Sequence, residues 1–233
     1  MLDHADILVC PSEFVRADLV DNFGVEPART RIVPYAVAPS WFDIAPRPQR
    51  GRVLFAGTAD LRKGIHIFGQ ASQMLMKAGD HYEFRVAGEV SPRIRARPEV
   101  GALTFLGRVP RDKVHIEFQR ADVLVLPSLV EGSAGVTYEA LAAGVPTVTT
   151  RAAGSVVRHG TDGLIVEEGS PLALAEAIAK IVSDRALRDR MSLSARDHAR
   201  TFSWERYRQR LVTAVLGERA AGSFSSDEDV HDS

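Results

Sequence analysis

Apolar runs of strand length alternate with helical patterns along most of this chain, and the runs show little polar alternation. Val53-Leu54-Phe55-Ala56 is followed by a helical stretch from about Leu61 to Ala78, then by Phe84-Arg85-Val86-Ala87. Leu103-Thr104-Phe105-Leu106, a helical Lys113 to Arg120 and Val123-Leu124-Val125-Leu126 come next. A helix from Val136 to Ala143 stops at Gly144, with Pro146 just beyond. Pro146-Thr147-Val148-Thr149 and Gly163-Leu164-Ile165-Val166 complete the set. A strand that is apolar on both sides leaves no face for water. Such strands, each followed by a helix, predict an α/β fold with a parallel sheet covered by helices on both faces.

The last third reads as helical. Ser170-Pro171 places an N-cap serine before a proline at the first helical position. Leu174, Ile178, Ile181 and Val182 then share one face. A second helix follows Asp184 and carries Leu187 and Met191. Ser203 caps a third, in which Trp204, Tyr207, Leu211 and Val215 form an apolar stripe. Residues 218–233 are small, polar and acidic, and are expected to be a disordered tail.

Charge and cysteine content exclude several functions. The net charge of -1 offers no basic surface for nucleic acid or an anionic membrane. No apolar run approaches the roughly 20 residues that span a bilayer. No basic region precedes the apolar segment near the N-terminus, which argues against a signal peptide. A single cysteine, Cys10, allows no internal disulfide and reads as a small buried hydrophobe. No Cys/His cluster has zinc-ligand spacing. A cytoplasmic location follows, with a peripheral position at the membrane left open. No G-x-G-x-x-G follows the first strand, and Gly57 to Gly64 lacks G-x4-G-K-[ST], so dinucleotide and P-loop sites are disfavoured.

The segment with chemistry is Pro127 to Pro146. It sets Glu131 and Glu139 at an E-x7-E spacing around a turn of small residues, Gly132-Ser133-Ala134-Gly135, that opens a short helix. A strand, a small-residue loop and a helix N-terminus together can hold a phosphate on unpaired N–H groups. Carboxylates only accept hydrogen bonds, and hydroxyls are their natural partners. Anion site plus hydroxyl acceptors suggests a nucleotide-sugar. Taken alone, the spacing is weak, because a Glu-rich helix produces it by chance and the glycines could be plain turn residues.

One internal echo stands out. Ala5 to Ser12 reads ADILVCPS and Ala121 to Ser128 reads ADVLVLPS. Each suggests a strand leaving a sheet through Pro-Ser into a helix, and two copies suggest two similar α/β units in the parent architecture. The first copy sits so near the N-terminus that it reads as the end of a domain.

Taken in order, ADILVCPSEFVRADLV, IVPYAVAPSWF, FAGTADLRKGIHIF, VAGE, LTFLGRVPRDKV, ADVLVLPSLVEG, the E-x7-E segment and FSWERYRQRL resemble the retaining glycosyltransferases of the group 1 (family 4) type, with the GT-B architecture. The resemblance covers about Ala5 to Leu216. It implies a Rossmann-like C-terminal domain that binds a nucleotide-sugar donor, UDP- or GDP-linked, facing an acceptor domain. By the same resemblance, residues 1–40 are the end of the acceptor domain and the linker. Residues 41–202 are the donor domain, and 203–217 are a helix crossing back onto the acceptor domain. Lys63 matches the lysine on the donor diphosphate, with Arg62 beside it. Glu131 matches the glutamate near the donor sugar and the reacting centre, and Glu139 the one on the ribose hydroxyls. Backbone N–H groups of Ser133, Ala134, Gly135 and Val136 would hold phosphates or sugar. Gly107, Arg108 and Val109 would line the base pocket. No metal or other cofactor is implied.

Two departures and one absence follow. Gly57 is followed by Thr58 where an arginine is frequent, and Ser133-Ala134 stands where Phe-Gly is frequent. The acceptor domain, with its glycine-rich loop and histidine, has no counterpart here, and His4 is no candidate for that histidine. An acceptor-domain chain or self-association would have to complete the cleft. The chain is expected to expose apolar surface around Ile7, Leu8, Val9, Trp204 and Leu211. Three functions compete: the donor half of a glycosyltransferase, a non-catalytic nucleotide-sugar-binding protein, and an inactive truncated remnant.

Overall fold

A computed structural model of the chain describes residues 4–79 and 81–217, so the acidic tail expected at 218–233 lies outside the described residues. The chain opens with strand β1 (Leu8–Cys10), helix α1 (Glu13–Asp21) and strand β2 (Thr30–Ile32), and β1 pairs with β2 in parallel as a separate two-stranded sheet. The main body follows: β3 (Arg52–Ala56), α2 (Ile65–Lys77), β4 (Glu83–Ala87), the single turn α3 (Pro92–Arg95), β5 (Thr104–Gly107), α4 (Arg111–Arg120), β6 (Val123–Leu126), α5 (Gly135–Ala142), β7 (Thr147–Thr150) and β8 (Gly163–Val166). Helices α6 (Pro171–Ser183), α7 (Arg185–Ala199) and α8 (Trp204–Leu216) close it. The six strands form one parallel sheet in the order β5-β4-β3-β6-β7-β8.

The apolar runs explain the layers. Val53, Phe55, Val123 and Val125 turn to one face, where they meet Ile65 and Phe68 of α2 and Leu174, Ile178 and Ile181 of α6. Leu54, Ala56 and Leu124 turn to the other, against Phe118 of α4 and Ala140 of α5. Each fully buried Val, Leu, Ile or Phe among them contributes about 1.5–3 kcal/mol. A third cluster joins Tyr138 and Leu141 of α5 to Ala195 and Ala199 of α7, to Phe202 and to Val37 of the linker. Arg196 fastens the linker further, donating to the Ile44 carbonyl at 2.7 Å and the Phe42 carbonyl at 2.6 Å.

The expected parallel sheet, buried on both faces, is present, and the caps at Ser170, Asp184 and Ser203 all accept from the first turn of their helices. Two expectations need correction. α2 starts at Ile65, not near Leu61, because Gly64 takes a left-handed φ of +74° and residues 61–64 turn against the loop after β6. A Cβ at Gly64 would stand 2.0 Å from the Pro127 carbonyl oxygen, so only glycine allows this approach. The sequence echo also diverges. Ser12 caps α1 directly, whereas Ser128 is followed by a loop, 127–134, before α5 begins. No apolar run marks β2, whose Arg31 and Ile32 are exposed.

The α8 stripe is only partly covered. Trp204 is 52% exposed and Val9 41%, while Ile7, Leu8 and Leu211 are half-buried. A groove of about 1100 Å3 runs between α8 and β2, lined by Arg31, Ile32, Arg210 and Val215 among others.

Two buried carboxylates tie helices to the sheet. Asp122, fully buried at the start of β6, accepts from Arg185 at 2.6 and 2.7 Å and from the Gly51 N–H at 3.0 Å, with Arg188 Nε 3.4 Å away. Asp122→Ala removes the buried carboxylate that faces Arg185 and Arg188 and is expected to cost about 3–5 kcal/mol, readable as a lower urea midpoint with an unchanged slope. Asp162, also fully buried, joins the loop before β8 to α7. It accepts from Arg158 Nε and Nη2 at 2.7 Å each and from Ser194 Oγ at 2.9 Å, and His198 Nδ1 lies at 2.8 Å. Burial alone would raise its pKa, but the bonds from Arg158, His198 and Ser194 outweigh this and hold the carboxyl well below the usual range. A carboxyl depressed in the folded state stabilises above its unfolded pKa and loses that contribution as pH falls. Denaturation curves from pH 7 downward are expected to show stability falling below about pH 4, and Asp162→Asn to be less stable at pH 7 with a flatter acid limb. An unchanged acid limb would remove Asp162 from this role.

Candidate functional site

Strand order reverses between β3 and β6, and the loops leaving these two strands flank the point of reversal at their C-terminal ends. In open parallel sheets this is where the crevice for ligands lies. The loop after β3 runs from Gly57 to Gly64 and carries Arg62 and Lys63. The loop after β6 runs from Pro127 to Ala134 and carries Glu131.

Backbone bonds hold the two loops together. The Leu129 N–H donates to the Arg62 carbonyl at 2.7 Å, and Arg62 Nη1 donates to the Val130 carbonyl at 3.1 Å. The Lys63 N–H donates to Asp60 Oδ1 at 2.8 Å, which fixes the turn. The Lys63 side chain lies back along the end of β3, so that a Cβ at Gly57 would stand 3.5 Å from Nζ. Its ammonium comes within 3.2 Å of Glu131 Oε2, and Arg62 Nη1 within 3.1 Å of the same atom. Lys63 and Glu131 are each 16% exposed, Arg62 48%. Although both contacts are ion pairs by distance, Oε2 is buried and takes no aligned hydrogen bond among the described residues. Glu131 is thus held by charge, with hydrogen-bonding capacity unused.

The turn after Glu131 is packed from within. Ser133 Oγ donates to the Gly154 carbonyl at 3.1 Å and lies 3.2 Å from the Tyr138 hydroxyl, and the Ala134 N–H donates to the Ala153 carbonyl at 3.1 Å. The Ala134 N–H, expected to hold phosphate or sugar, is engaged here by the loop after β7. Gly135 and Val136 open α5, where first-turn N–H groups have no intrahelical partner. An added Cβ at Gly135 would meet nothing within 4 Å. Glu139, one turn further on, borders with Gly135 a cavity of about 290 Å3 walled by Tyr35, Trp41, Trp204 and Tyr207.

The remaining expected residues stand at the end of β5. The Gly107 carbonyl accepts from the Gly88 N–H at 2.9 Å, and Val109 packs in the same cluster as Val136. Arg108 stands apart, 85% exposed and 3.8 Å from Glu89.

The sequence reading missed several residues at this site. Ser12 Oγ donates to the Gly132 carbonyl at 2.6 Å, a contact across 120 positions. Tyr138, inside the E-x7-E interval, accepts from the Tyr35 N–H at 3.2 Å. Burial pushes the Tyr138 phenol up, so it stays neutral. Ser128, at the end of β6, has a buried hydroxyl with no partner among the described residues. A terminal Pro-Ser in both echo copies was the only signal for Ser12 and Ser128.

Comparison with known proteins places this geometry. The sequence profile of the family described as glycosyl transferases group 1 matches residues 50–184, more than half of the chain. The D-inositol 3-phosphate glycosyltransferase of Corynebacterium urealyticum is 30% identical over 240 residues, covering 91% of this chain and 57% of that protein. The chain therefore spans a little over half the length of such curated relatives. The C-terminal domain of a glycosyl transferase group 1 family protein (LpcC) from Francisella tularensis superposes with a TM-score of 0.60 at 21% identity, over 72% of this chain and 95% of that one. Anabaena HepE, crystallised with UDP and glucose, superposes with a TM-score of 0.67 at 19% identity, over 95% of this chain and 63% of that one. The chain belongs to the group 1 glycosyl transferases, and its six-stranded unit has the fold of their GT-B C-terminal domain.

Proposed function

We propose that this chain supplies the donor-binding half of a retaining glycosyltransferase that moves a sugar from a nucleoside diphosphate to an acceptor hydroxyl. The observation that carries this is the Lys63–Glu131–Arg62 cluster at the strand-order reversal, with the start of α5 on the same loop. Two cations and a helix N-terminus suit a diphosphate. Glu131, with unused acceptor capacity, suits the hydroxyls of the attached sugar, and Glu139 those of the ribose. Gly107, Arg108 and Val109 would border the base. UDP is the favoured nucleotide, because the Anabaena neighbour was crystallised with it. The relatives' name makes a phosphorylated polyol a reasonable class of acceptor to try. The acceptor would be held by sequence of the kind these relatives carry beyond the matched share, supplied in the same or another chain.

The chemistry follows from charge. In the resting site Lys63 and Arg62 neutralise Glu131. An incoming diphosphate competes for the same cations and frees the carboxylate to accept from the sugar. As the glycosidic bond breaks, negative charge grows on the leaving phosphate, and the same cations stabilise it. Transfer with retention then proceeds on the front face, assisted by that phosphate, with positioning and exclusion of water supplied by the closed cleft.

A thermal-shift titration with UDP, GDP, ADP and their sugars tests the donor site. A ligand at 100 times its Kd adds about 2.7 kcal/mol, or roughly 5–10 °C for a chain of this size. Wild type is expected to shift with one nucleotide and Lys63→Ala to lose the shift. A cooperative melt that no nucleotide moves would sink donor binding. Glu131→Gln removes the competing carboxylate, so UDP is expected to bind at least as tightly as to wild type. With an acceptor domain supplied, transfer by that variant should fall by about 100-fold or more. Transfer at the wild-type rate would favour a purely binding role for this carboxylate.

A further inference from the structure

The β1–α1–β2 unit touches the Glu131 loop directly, and the contacts are polar. Ser12 Oγ performs two tasks at once. It accepts from the Val15 N–H at 3.3 Å as the cap of α1 and donates to the Gly132 carbonyl at 2.6 Å. Ser12 is 7% exposed. Gly154 closes the same spot from the other side. Its φ is +58°, and a Cβ there would stand 2.3 Å from the Gly132 carbonyl oxygen and 2.8 Å from Ser12 Oγ. Val15, in the first turn of α1, packs over Gly132, where an added Cβ would lie 3.8 Å from its Cγ2.

A second connection reaches the neighbouring residue. A serine hydroxyl has one proton, and Ser133 gives it to the Gly154 carbonyl. The Tyr138 hydroxyl must then donate to Ser133 Oγ while accepting from the Tyr35 N–H. The chain of donors runs one way, from the linker after β2 through Tyr138 to the turn. Residues 132 and 133 are therefore gripped from both ends of the N-terminal unit, immediately beside Glu131.

We propose that Ser12 is a positioning residue for the Glu131 loop, so that the β1–α1–β2 unit sets where Glu131 and the start of α5 stand. The unit is then a lever on the site as well as a piece of neighbouring structure. The part of this inference that concerns a ligand rests on the donor-site reading above. The part that concerns the loop does not.

Hydrogen exchange on the whole chain separates the two. Ser12→Gly keeps most of the capping propensity of this position while removing the hydroxyl. Exchange within 131–137, which includes the hydrogen-bonded Ala134 and Thr137 amides, is expected to rise about five- to tenfold, the effect of one lost hydrogen bond. Exchange in α2 and β6 should stay as in wild type. Ser12→Thr, which keeps the hydroxyl, should restore protection. UDP affinity is expected to fall about fivefold in Ser12→Gly and to recover in Ser12→Thr. If the glycine variant does not fold, Ser12→Cys keeps the volume, weakens the donor and carries the same expectations. A rise confined to α1, or spread evenly over the chain, would overturn the proposal. If wild type binds no UDP, the donor reading fails while the exchange result still decides the role of Ser12.

Discussion

Everything at the site depends on one topological fact: after β5 the chain stops adding strands to one edge of the sheet and begins to build on the other side of β3. Two neighbouring strands, β3 and β6, then send their helices to opposite faces, α2 to one and α5 to the other. The loops that leave these strands start side by side and part, which opens a crevice between them. A cation on one loop and a carboxylate on the other can meet there without any long-range search. The doubly buried sheet below makes the meeting point stiff, because all the strands that carry these loops are packed on both faces.

The electrostatics of the resting site are balanced in a particular way. An ion pair this far from water carries a desolvation cost that only good geometry and further hydrogen bonds offset. Glu131 has two cations close by but, among the described residues, no aligned hydrogen bond on its buried oxygen. Its partners are unequal. Lys63 is as buried as the carboxylate, while Arg62 is half exposed and also bonds the Val130 carbonyl. The Lys63 contact is the one that solvent screens less. A pair held by proximity without directional bonds is well suited to being exchanged for better partners, and that is the physical content of the proposed competition between carboxylate and diphosphate.

The strands were legible because doubly buried parallel strands are apolar throughout, and no other element of a small α/β protein writes so plain a pattern. The caps at Ser170 and Ser203 were local and could be read locally. The E-x7-E turn stood out by its spacing and its small residues, with Lys63 added through the family resemblance. What escaped was set by contacts between distant positions. Nothing near Ala134 signals that its N–H is spent on Ala153, and nothing near Gly132 signals the hydroxyl of Ser12. The early start expected for α2 was wrong because Gly64 is shaped by the Pro127 carbonyl, a packing demand and not a local preference. The Asp162 network was invisible for the same reason: Arg158, Ser194 and His198 leave no periodic trace.

The N-terminal unit shows how a small neighbouring element can bear on the site. Helix α1 has no fully buried residue, and its two-stranded sheet is too small to be stable by itself. Apolar burial in this unit is concentrated at a few positions, Cys10, Val25 and Val33. Its position is also set by the linker seated on α7 and Phe202, by the Ser12 bond to the turn after Glu131 and by the Tyr35 bond to Tyr138 of α5. Here the turn is itself a small-residue loop, with Gly132 exposed and Gly135 open on one side, so the constraint runs in both directions. Contiguous hydrogen bonds of this kind can carry coupling between an element and a loop. In this chain those bonds end one residue from the carboxylate at the centre of the site.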